Sequence, residues 1–233
     1  MQVKSNPTTT KDQDLQISDV NDSATGPIAS ISQATAKQGK ALLWKRFVLF
    51  FCIAALTLLA DIVSKSVVFS SFFDPTQDFQ MPHFWVDGVF GIQTSTNPGA
   101  LFGMGAGYSW VFAILSLIAL TGIVLWLFVF GAGYDLFLTL TLGLISGGIM
   151  GNLYDRLGWG ALPSYPESIR TNVRDFILFR LEGVPFFDPW PNFNLADCWL
   201  VCGAALLFFH ALFLAPPDDA SAAAEEEDSL NVN

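Results

Sequence analysis

Four long apolar stretches, separated by more polar segments, dominate the pattern along the chain. They cover residues 47–69, 109–130, 136–154 and 198–215. An α-helix needs about 20 predominantly apolar residues to cross the hydrocarbon core of a bilayer. The pattern therefore predicts a membrane all-α protein with four transmembrane helices, which form a domain over residues 41–215.

Two of the connecting segments have strand-like patterns. Residues 84–94 alternate aromatic, aliphatic and glycine positions, which predicts short strands and turns outside the bilayer. The loop between the third and fourth spans has about forty residues, and connections of that length are usually functional or disordered. It contains an apolar, strand-like run at 173–179. We expect this loop to rest on the membrane surface.

The two ends of the chain have different compositions. Residues 1–40 are rich in Ser, Thr, Gln, Asp and Lys, which predicts a disordered tail without a signal-peptide pattern. Six Lys and Arg residues precede the first span, and residues 66–108 contain none. The positive-inside rule then places the N-terminus in the cytoplasm. Four spans return the acidic tail, 216–233, to the same side, so the arginine-bearing long loop lies outside, against the simple charge bias.

Composition supports the membrane assignment and excludes one class of partner. Hydrophobic residues make up 52% of the chain and charged residues 14%, whereas soluble domains carry about 25% charged residues. Much of the net charge of −10 comes from the C-terminal tail. Nothing resembles a basic nucleic-acid-binding face.

The cysteines and histidines do not indicate a metal centre or a nucleophilic triad. Cys52, Cys198 and Cys202 all lie in apolar stretches, which argues against a disulfide framework. Cys198 and Cys202 share a helix face, but no nearby His or carboxylate cluster completes a metal site, so we interpret them as packing residues. His83 and His210 are too far from suitable partners for Ser-His-Asp or Cys-His chemistry.

Several ionisable residues lie in or beside the predicted spans, where they usually mark functional sites. Asp61 and Lys65 share one helix face, and they are either a mutually neutralising structural pair or part of a site. Asn152, Asp155 and Arg156 follow a glycine stripe on the third span that permits close helix packing. This polar group is either a functional cluster or an anchor at the membrane boundary.

Two further aspartates occupy positions that a simple anchoring role does not explain. Asp197 opens the fourth span, and Asp175 lies in the apolar run 173–179 beside Phe176 and Ile177. Two carboxyl groups close together at a semi-buried interface share one proton. The ionised member of such a pair can deprotonate water, and the protonated member can hydrogen-bond a carbonyl group. These residues therefore suggest an aspartyl dyad.

With these motifs in this order, the chain resembles the lipoprotein signal peptidase (signal peptidase II) family. The resemblance covers residues 45–214 and neither tail. The matching motifs are Asp61-Ile62-Val63-Ser64-Lys65, Asn97-Pro98-Gly99-Ala100-Leu101-Phe102, Gly147-Gly148-Ile149-Met150-Gly151-Asn152-Leu153-Tyr154-Asp155-Arg156, Val173-Arg174-Asp175-Phe176 and Phe193-Asn194-Leu195-Ala196-Asp197.

The resemblance implies a four-span bundle with a small extracytoplasmic β-cradle and a surface loop or helix. It implies an aspartic endopeptidase of the bacterial inner membrane that cleaves diacylglyceryl-modified prolipoproteins just before the lipidated cysteine. Asp175 and Asp197 match the catalytic aspartates. The remaining matches divide into substrate-binding or supporting residues, which are Asn97, Gly99, Asn152, Arg156 and Asn194, and structural polar residues, which are Asp61, Lys65 and Asp155. The implied partners are lipid-modified precursors and membrane lipids, and no metal or cofactor is implied.

Two features depart from the family pattern. The segment 157–174 is longer than the segment that family members usually have between the Asp-Arg and Asp-Phe motifs. Its length suggests a surface excursion that affects the entrance to the site. Arg174 stands where family members usually have an apolar residue. On a strand, Arg174 and Asp175 point to opposite faces; if that alternation fails, Arg174 pairs with Asp175, lowers its pKa and disfavours the shared proton.

Two other protein classes fit parts of the pattern. In a small transporter or channel, the intramembrane acids would line an ion path, but here they cluster at the outer interface and no inverted repeat is visible. The segment Gly131-Ala132-Gly133-Tyr134-Asp135 superficially resembles the glycine-aspartate motif of a presenilin-like aspartic protease. The extra Tyr134 and the location in a loop do not fit that motif.

Overall fold

The computed structural model describes residues 18–99, 104–185, 187–188 and 190–214, with side chains from residue 35 onwards. The predicted acidic tail, 216–233, and the first part of the predicted N-terminal tail, 1–17, lie outside the described residues. By its contacts the chain divides into two compact units, 1–45 and 46–233. All site residues predicted from the sequence belong to the second unit.

The described residues contain four helices that are long and apolar enough to cross a membrane, which confirms the predicted fold class. The helices are α1, Ser18–Phe72, with its candidate span at Thr35–Phe72; α2, Ser109–Phe128; α3, Leu136–Arg156; and α4, Leu195–Phe213. Short 3₁₀ turns at Ala132–Tyr134 and Glu167–Ile169 lie in the connections.

Two helix starts differ from the sequence predictions. Residues 18–40 lie within α1, whereas the sequence analysis predicted a disordered tail over residues 1–40. α4 begins at Leu195, ahead of the predicted 198, because Asn194 and Asp197 form a reciprocal capping box. Asp197 therefore lies inside the first turn of α4.

Glycines on α3 allow two other helices to approach its backbone closely. A Cβ atom at Gly147 would overlap Thr57 and the Ala54 carbonyl oxygen of α1, whereas one at Gly148 would contact the Ala196 carbonyl oxygen of α4. The predicted close packing against the glycines of α3 is confirmed, and α4 packs against this helix as well as α1. α3 is the most buried of the four spans, so it forms the centre of the bundle.

Three antiparallel strands form one sheet in the order β1-β2-β3: β1, His83–Val86; β2, Phe90–Asn97; and β3, Val173–Phe179. The predicted strands at 84–94 and 173–179 are therefore present. Ser95 pairs with Asp175, and the pairing shifts register between Ile92 and Ser95. A bridge between Ile177 and Phe193 ties the entrance of α4 to β3.

The excursion between α3 and β3 is anchored to the protein core. Tyr165 is only 4% exposed and packs with Val68, Phe69, Ile92 and Phe176 in a cluster between α1 and the sheet. Arg170 Nε donates to the Tyr165 carbonyl oxygen over 3.1 Å. The excursion therefore covers the end of the bundle where α1 and α3 terminate.

Candidate active site

The polar residues singled out from the sequence meet at one end of the bundle, where α1 and α3 end and α4 begins. Asp175 comes from β3 and Asp197 from the first turn of α4. Asn194 lies at the N-cap of α4, and the last turns of α3 supply Asn152 and Asp155. Distant parts of the sequence thus contribute side chains to one site.

The capping box at the start of α4 orients Asp197. The Asp197 N–H donates to Asn194 Oδ1 over 3.0 Å, and the Asn194 N–H donates to Asp197 Oδ2 over 3.1 Å. Asn152 Nδ2 donates to the other carboxyl oxygen, Asp197 Oδ1, over 2.8 Å. Both oxygens of this half-buried carboxyl group therefore accept hydrogen bonds from fixed donors.

Asp175 is the more buried of the two acids, with 3% of its surface exposed. Asn194 Nδ2 donates to its Oδ1 over 2.6 Å, and the Asn97 side chain also hydrogen-bonds the carboxyl group. Asn97 follows Ser95, the partner of Asp175 across the sheet, by two residues, so it is a diagonal neighbour on the same face. Burial, reinforced by the negative charge of Asp197, raises the pKa of Asp175 to about 7.

Two asparagines connect the acids. Asn194 is fully buried, and its Nδ2 donates to Asn152 Oδ1 over 3.1 Å as well as to Asp175. Because Asn152 in turn donates to Asp197, a continuous chain of side-chain hydrogen bonds links Asp175 with Asp197.

Both aspartates face a cavity of about 520 Å³. Asn97 and Asn192 provide polar groups on its wall, and the remaining lining residues are largely apolar. The other lining residues are Trp190, Pro191, Phe193, Cys198, Leu200, Val201 and Cys202. The cavity can place a peptide bond beside two carboxyl groups and also accommodate an apolar group along α4.

Behind the asparagines lies a buried ion cluster. Lys65 Nζ is 2.7 Å from Asp61 Oδ2 and 3.0 Å from Asp155 Oδ2, and it donates to Asn152 Oδ1 over 3.1 Å. Asp61 also accepts from the Ala196 N–H over 2.9 Å. Arg174 pairs with Asp155 at 2.8 Å. The predicted pairing of Asp61 and Lys65 is present, and it belongs to a larger network.

Arg156 and Gly99 lie at the edge of this arrangement. Arg156 Nη2 donates to the Gly99 carbonyl oxygen over 3.4 Å, and its guanidinium carbon is 5.3 Å from the centre of the Phe112 ring. Arg156 also interacts electrostatically with Asp197 and Asp175. Asn97 Oδ1 accepts from the Gly99 N–H over 3.0 Å, which holds the turn after β2. The rest of the Asn97–Phe102 motif, residues 100–102, lies outside the described residues.

The histidines lie away from this site. His210 Nε2 is 2.6 Å from Asp135 Oδ2, at the opposite end of the bundle, and His83 begins β1. Across the described ranges, no group of three or more His, Cys, Asp or Glu residues is placed to hold a metal ion. The three cysteines are unpaired, and two of them line the cavity.

The sequence analysis did not identify Asp155 as the partner of Arg174. The alternation expected for a strand holds, because Asp175 contacts Asn194 while Arg174 contacts Asp155. Arg174 therefore does not pair with Asp175, and Asp175 keeps its raised pKa. The sequence contains a signal for this pairing. An arginine on an apolar strand points to the face opposite Asp175, and when buried there it needs an acid as its partner.

The chain is similar to known proteins in both its sequence and its fold. Residues 53–213 match the model of the family described as signal peptidase (SPase) II. A lipoprotein signal peptidase of Rhodopirellula baltica is 45% identical over 74% of this chain and 75% of its own length. One from Bacillus velezensis is 32% identical over 71% of this chain and 94% of its own length. A solved bacterial membrane enzyme superposes with a TM-score of 0.55 and 26% identity over 70% of this chain and 87% of that chain.

Proposed function

The chain belongs to the signal peptidase II family of lipoprotein-processing membrane peptidases, and we propose that it is an aspartic endopeptidase that uses Asp175 and Asp197 as its catalytic dyad. The observation that supports this proposal most strongly is the hydrogen-bonded link from Asp175 through Asn194 and Asn152 to Asp197 beside one cavity. Such a link fixes the separation of the two acids without neutralising them.

The different surroundings of the two acids assign their roles. Asp175 is nearly fully buried and has a pKa of about 7, so it holds the shared proton below that pH. Asp197 accepts hydrogen bonds on both oxygens, which suits it to carry the negative charge. In this assignment the dyad holds one proton between its two carboxyl groups.

The proposed reaction is a general acid–base hydrolysis. The Asp197 carboxylate takes a proton from a water molecule while the water oxygen bonds to the scissile carbonyl carbon. Asp175 gives its proton to the carbonyl oxygen, which yields a tetrahedral diol. When the C–N bond breaks, Asp197 returns its proton to the leaving nitrogen and a diol hydroxyl reprotonates Asp175. Asn97 and Arg156, at the rim, orient the substrate backbone.

The apolar wall of the cavity supports a lipid-modified substrate. Leu200 and Val201 of α4, with Phe193 just before this helix, line the same cavity as both aspartates. We infer that the diacylglyceryl group of a prolipoprotein occupies this side and that cleavage occurs just before the lipidated cysteine. Membrane lipids are the natural neighbours of this wall, and neither nucleic acid nor a cofactor is part of the proposal.

The chain is a bacterial membrane protein with four candidate spans. We propose the cytoplasmic (inner) membrane as its location, with both termini in the cytoplasm and the dyad at the outer leaflet. The distribution of basic residues supports this orientation, because six Lys and Arg residues precede the first apolar stretch. In this orientation the asparagines and acids lie at the outer leaflet, on the side of the membrane to which a precursor is translocated.

The test compares two substrates and two enzymes. Purified protein is incubated with a prolipoprotein peptide that carries a diacylglyceryl cysteine and with the same peptide without lipid. We expect mass spectrometry to show one cut, just before the cysteine, in the lipidated peptide only. Asp175→Asn should abolish this cleavage. Asp188→Asn is the control and should not, because Asp188 pairs with the exposed Arg180. Full activity of Asp175→Asn, or equal cleavage of both peptides, would contradict the proposal.

A further inference from the structure

Arg174 is a buried cation beside the dyad that the proposed mechanism does not use. It lies on β3 next to Asp175, but its side chain occupies the opposite face of the strand and is 5% exposed. A buried arginine needs a carboxylate partner, because an unpaired charge away from water is costly. That partner is Asp155, in the last turn of α3.

Arg174 holds Asp155 at both carboxyl oxygens. Its Nε donates to Asp155 Oδ1 over 2.8 Å, and its Nη2 lies 2.8 Å from the same oxygen. The backbone N–H of Arg174 donates to Asp155 Oδ2 over 3.2 Å. The guanidinium also lies 5.9 Å from the centre of the Phe69 ring. β3 is thereby fixed to the end of α3 on the side away from the cavity.

Without Arg174 the buried cluster would not be electrically balanced. Asp61 and Asp155 are two acids with 0–1% of their side chains exposed, and Lys65 is the cation between them. An ammonium group has three N–H donors. Lys65 directs them to Asp61, Asp155 and Asn152. Arg174 supplies the second positive charge that the two carboxylates require.

The third Lys65 contact leads directly to the dyad. Asn152 accepts from Lys65 with its Oδ1 and donates to Asp197 with its Nδ2. Removing Arg174 would leave Lys65 as the only cation for two buried acids and draw it away from Asn152. Asn152 Oδ1 would then keep only its hydrogen bond from Asn194, so the Asn152 amide would be held less firmly in its orientation towards Asp197.

We propose that Arg174 is a positioning residue for the dyad, which acts by binding Asp155 so that Lys65 continues to orient Asn152 towards Asp197. This inference rests on the proposed function, because it assigns Arg174 a role in the same reaction. It also gives the excursion a role, since Gly160 packs so closely on Asp155 and Arg174 that a Cβ atom there would overlap both side chains.

The test measures kcat, KM and the pH profile of cleavage for Arg174→Met and Arg174→Lys. For Arg174→Met we expect kcat to fall by up to about 100-fold, with KM unchanged, because small misplacements of catalytic groups have effects of this size. Both limbs of the pH profile should move to higher pH. Asp175 is faced by Asp197 from α4, Lys65 from α1 and Arg156 from α3, and a more negative cluster makes the dyad retain its proton.

Arg174→Lys keeps the charge and the backbone N–H contact with Asp155 Oδ2, but it loses the planar guanidinium that places two nitrogens beside Oδ1. We therefore expect a smaller loss of kcat and a pH profile close to that of the unaltered protein. Arg180→Met is the matched control, because Arg180 is 42% exposed and pairs only with Asp188 among the described residues. It should leave kcat and the pH profile unchanged. A purely structural role would lower the melting temperature without moving either limb.

Each outcome decides the question. An Arg174→Met protein that folds with unchanged kcat and pH limbs would overturn the inference. If Arg174→Met does not fold, Arg174→Lys decides: reduced kcat in a folded protein supports the inference, and unchanged kcat overturns it. Asp175→Asn is assayed in parallel, because an active Asp175→Asn protein would defeat the proposed function itself, whereas an inactive one beside a fully active Arg174→Met protein defeats only the role of Arg174.

Discussion

The bundle has an aspartate at the N-terminus of two helices, and the two differ in what surrounds them. Asp135 caps α3 at one end of the bundle, where its carboxyl group accepts from the Leu138 N–H over 3.0 Å and from His210 over 2.6 Å. Asp197 lies in the first turn of α4 at the other end and accepts from Asn152 and the Asn194 N–H. Both acids benefit from the helix dipole.

The difference lies in burial and in the second acid. Asp135 is 38% exposed, and although partial burial acts in the opposite direction, its hydrogen bonds hold its pKa below the usual range. Asp197 faces Asp175, whose pKa is raised to about 7 by burial and by this neighbouring charge. Under the proposed function, a capping aspartate is a structural element when it is satisfied alone, and it becomes suited to chemistry when it shares a proton with a second, buried carboxyl group.

The largest expected effect comes from making the same substitution at both ends. Asp197→Asn should lower kcat by about 10⁴-fold or more, as does removal of a group from a catalytic unit. Asp135→Asn should leave cleavage intact, because asparagine is an equally good N-cap. Cleavage rates of both purified variants, with melting curves to verify folding, check this. Equal rates in the two variants would remove the distinction between the two ends.

The second effect concerns stability at the dyad end. Lys65→Met leaves Asp61 and Asp155, both essentially unexposed, with Arg174 as the remaining cation of the cluster. Breaking a buried ion pair at one partner costs about 3–5 kcal/mol. We expect a large decrease in the melting temperature, which the fluorescence of the seven tryptophans can report.

The control for this prediction removes the opposite charge as well. Asp61→Asn combined with Lys65→Met leaves Asp155 paired with Arg174, so part of the lost stability should return, because neutral replacements for a buried pair are often tolerated. If Lys65→Met alone melts like the unaltered protein, the cluster does not stabilise this end of the bundle.

The third effect is a shift in pH dependence. Because the pKa of Asp175 is about 7, kcat/KM of the free enzyme should decline as pH rises through about 7 and the shared proton is lost. The hydrogen bond from Asn194 lowers this pKa, so Asn194→Ala should move the alkaline limb to higher pH. Asp188→Asn is the control, because Asp188 pairs with Arg180 and does not line the cavity. An alkaline limb that stays in place in Asn194→Ala would show that Asp175 does not set it.

The fold and the two acids could be predicted because their signals are local. Apolar length identifies a membrane span, and Asp175 stands out against Phe176 and Ile177 in its strand. The contacts depend on information that the sequence does not display. Asn97 reaches Asp175 only because the register of β2 against β3 shifts after Ile92. Similarly, the partner of Arg174 depends on which face of β3 packs against the last turn of α3.

The smallest expected effect lies at the opposite end of the bundle. The contact between His210 and Asp135 is short, at 2.6 Å, but the Asp135 side chain is 38% exposed, and water can replace a lost partner there. His210→Leu should therefore lower the free energy of unfolding by only about 0.5–1 kcal/mol. It should leave kcat and the pH profile unchanged, because His210 and the dyad lie at opposite ends of α4. Melting curves and cleavage rates measured together test this. A His210→Leu protein with a shifted pH profile would show that the two ends are coupled through the bundle, and the contrast between them would then be one of degree.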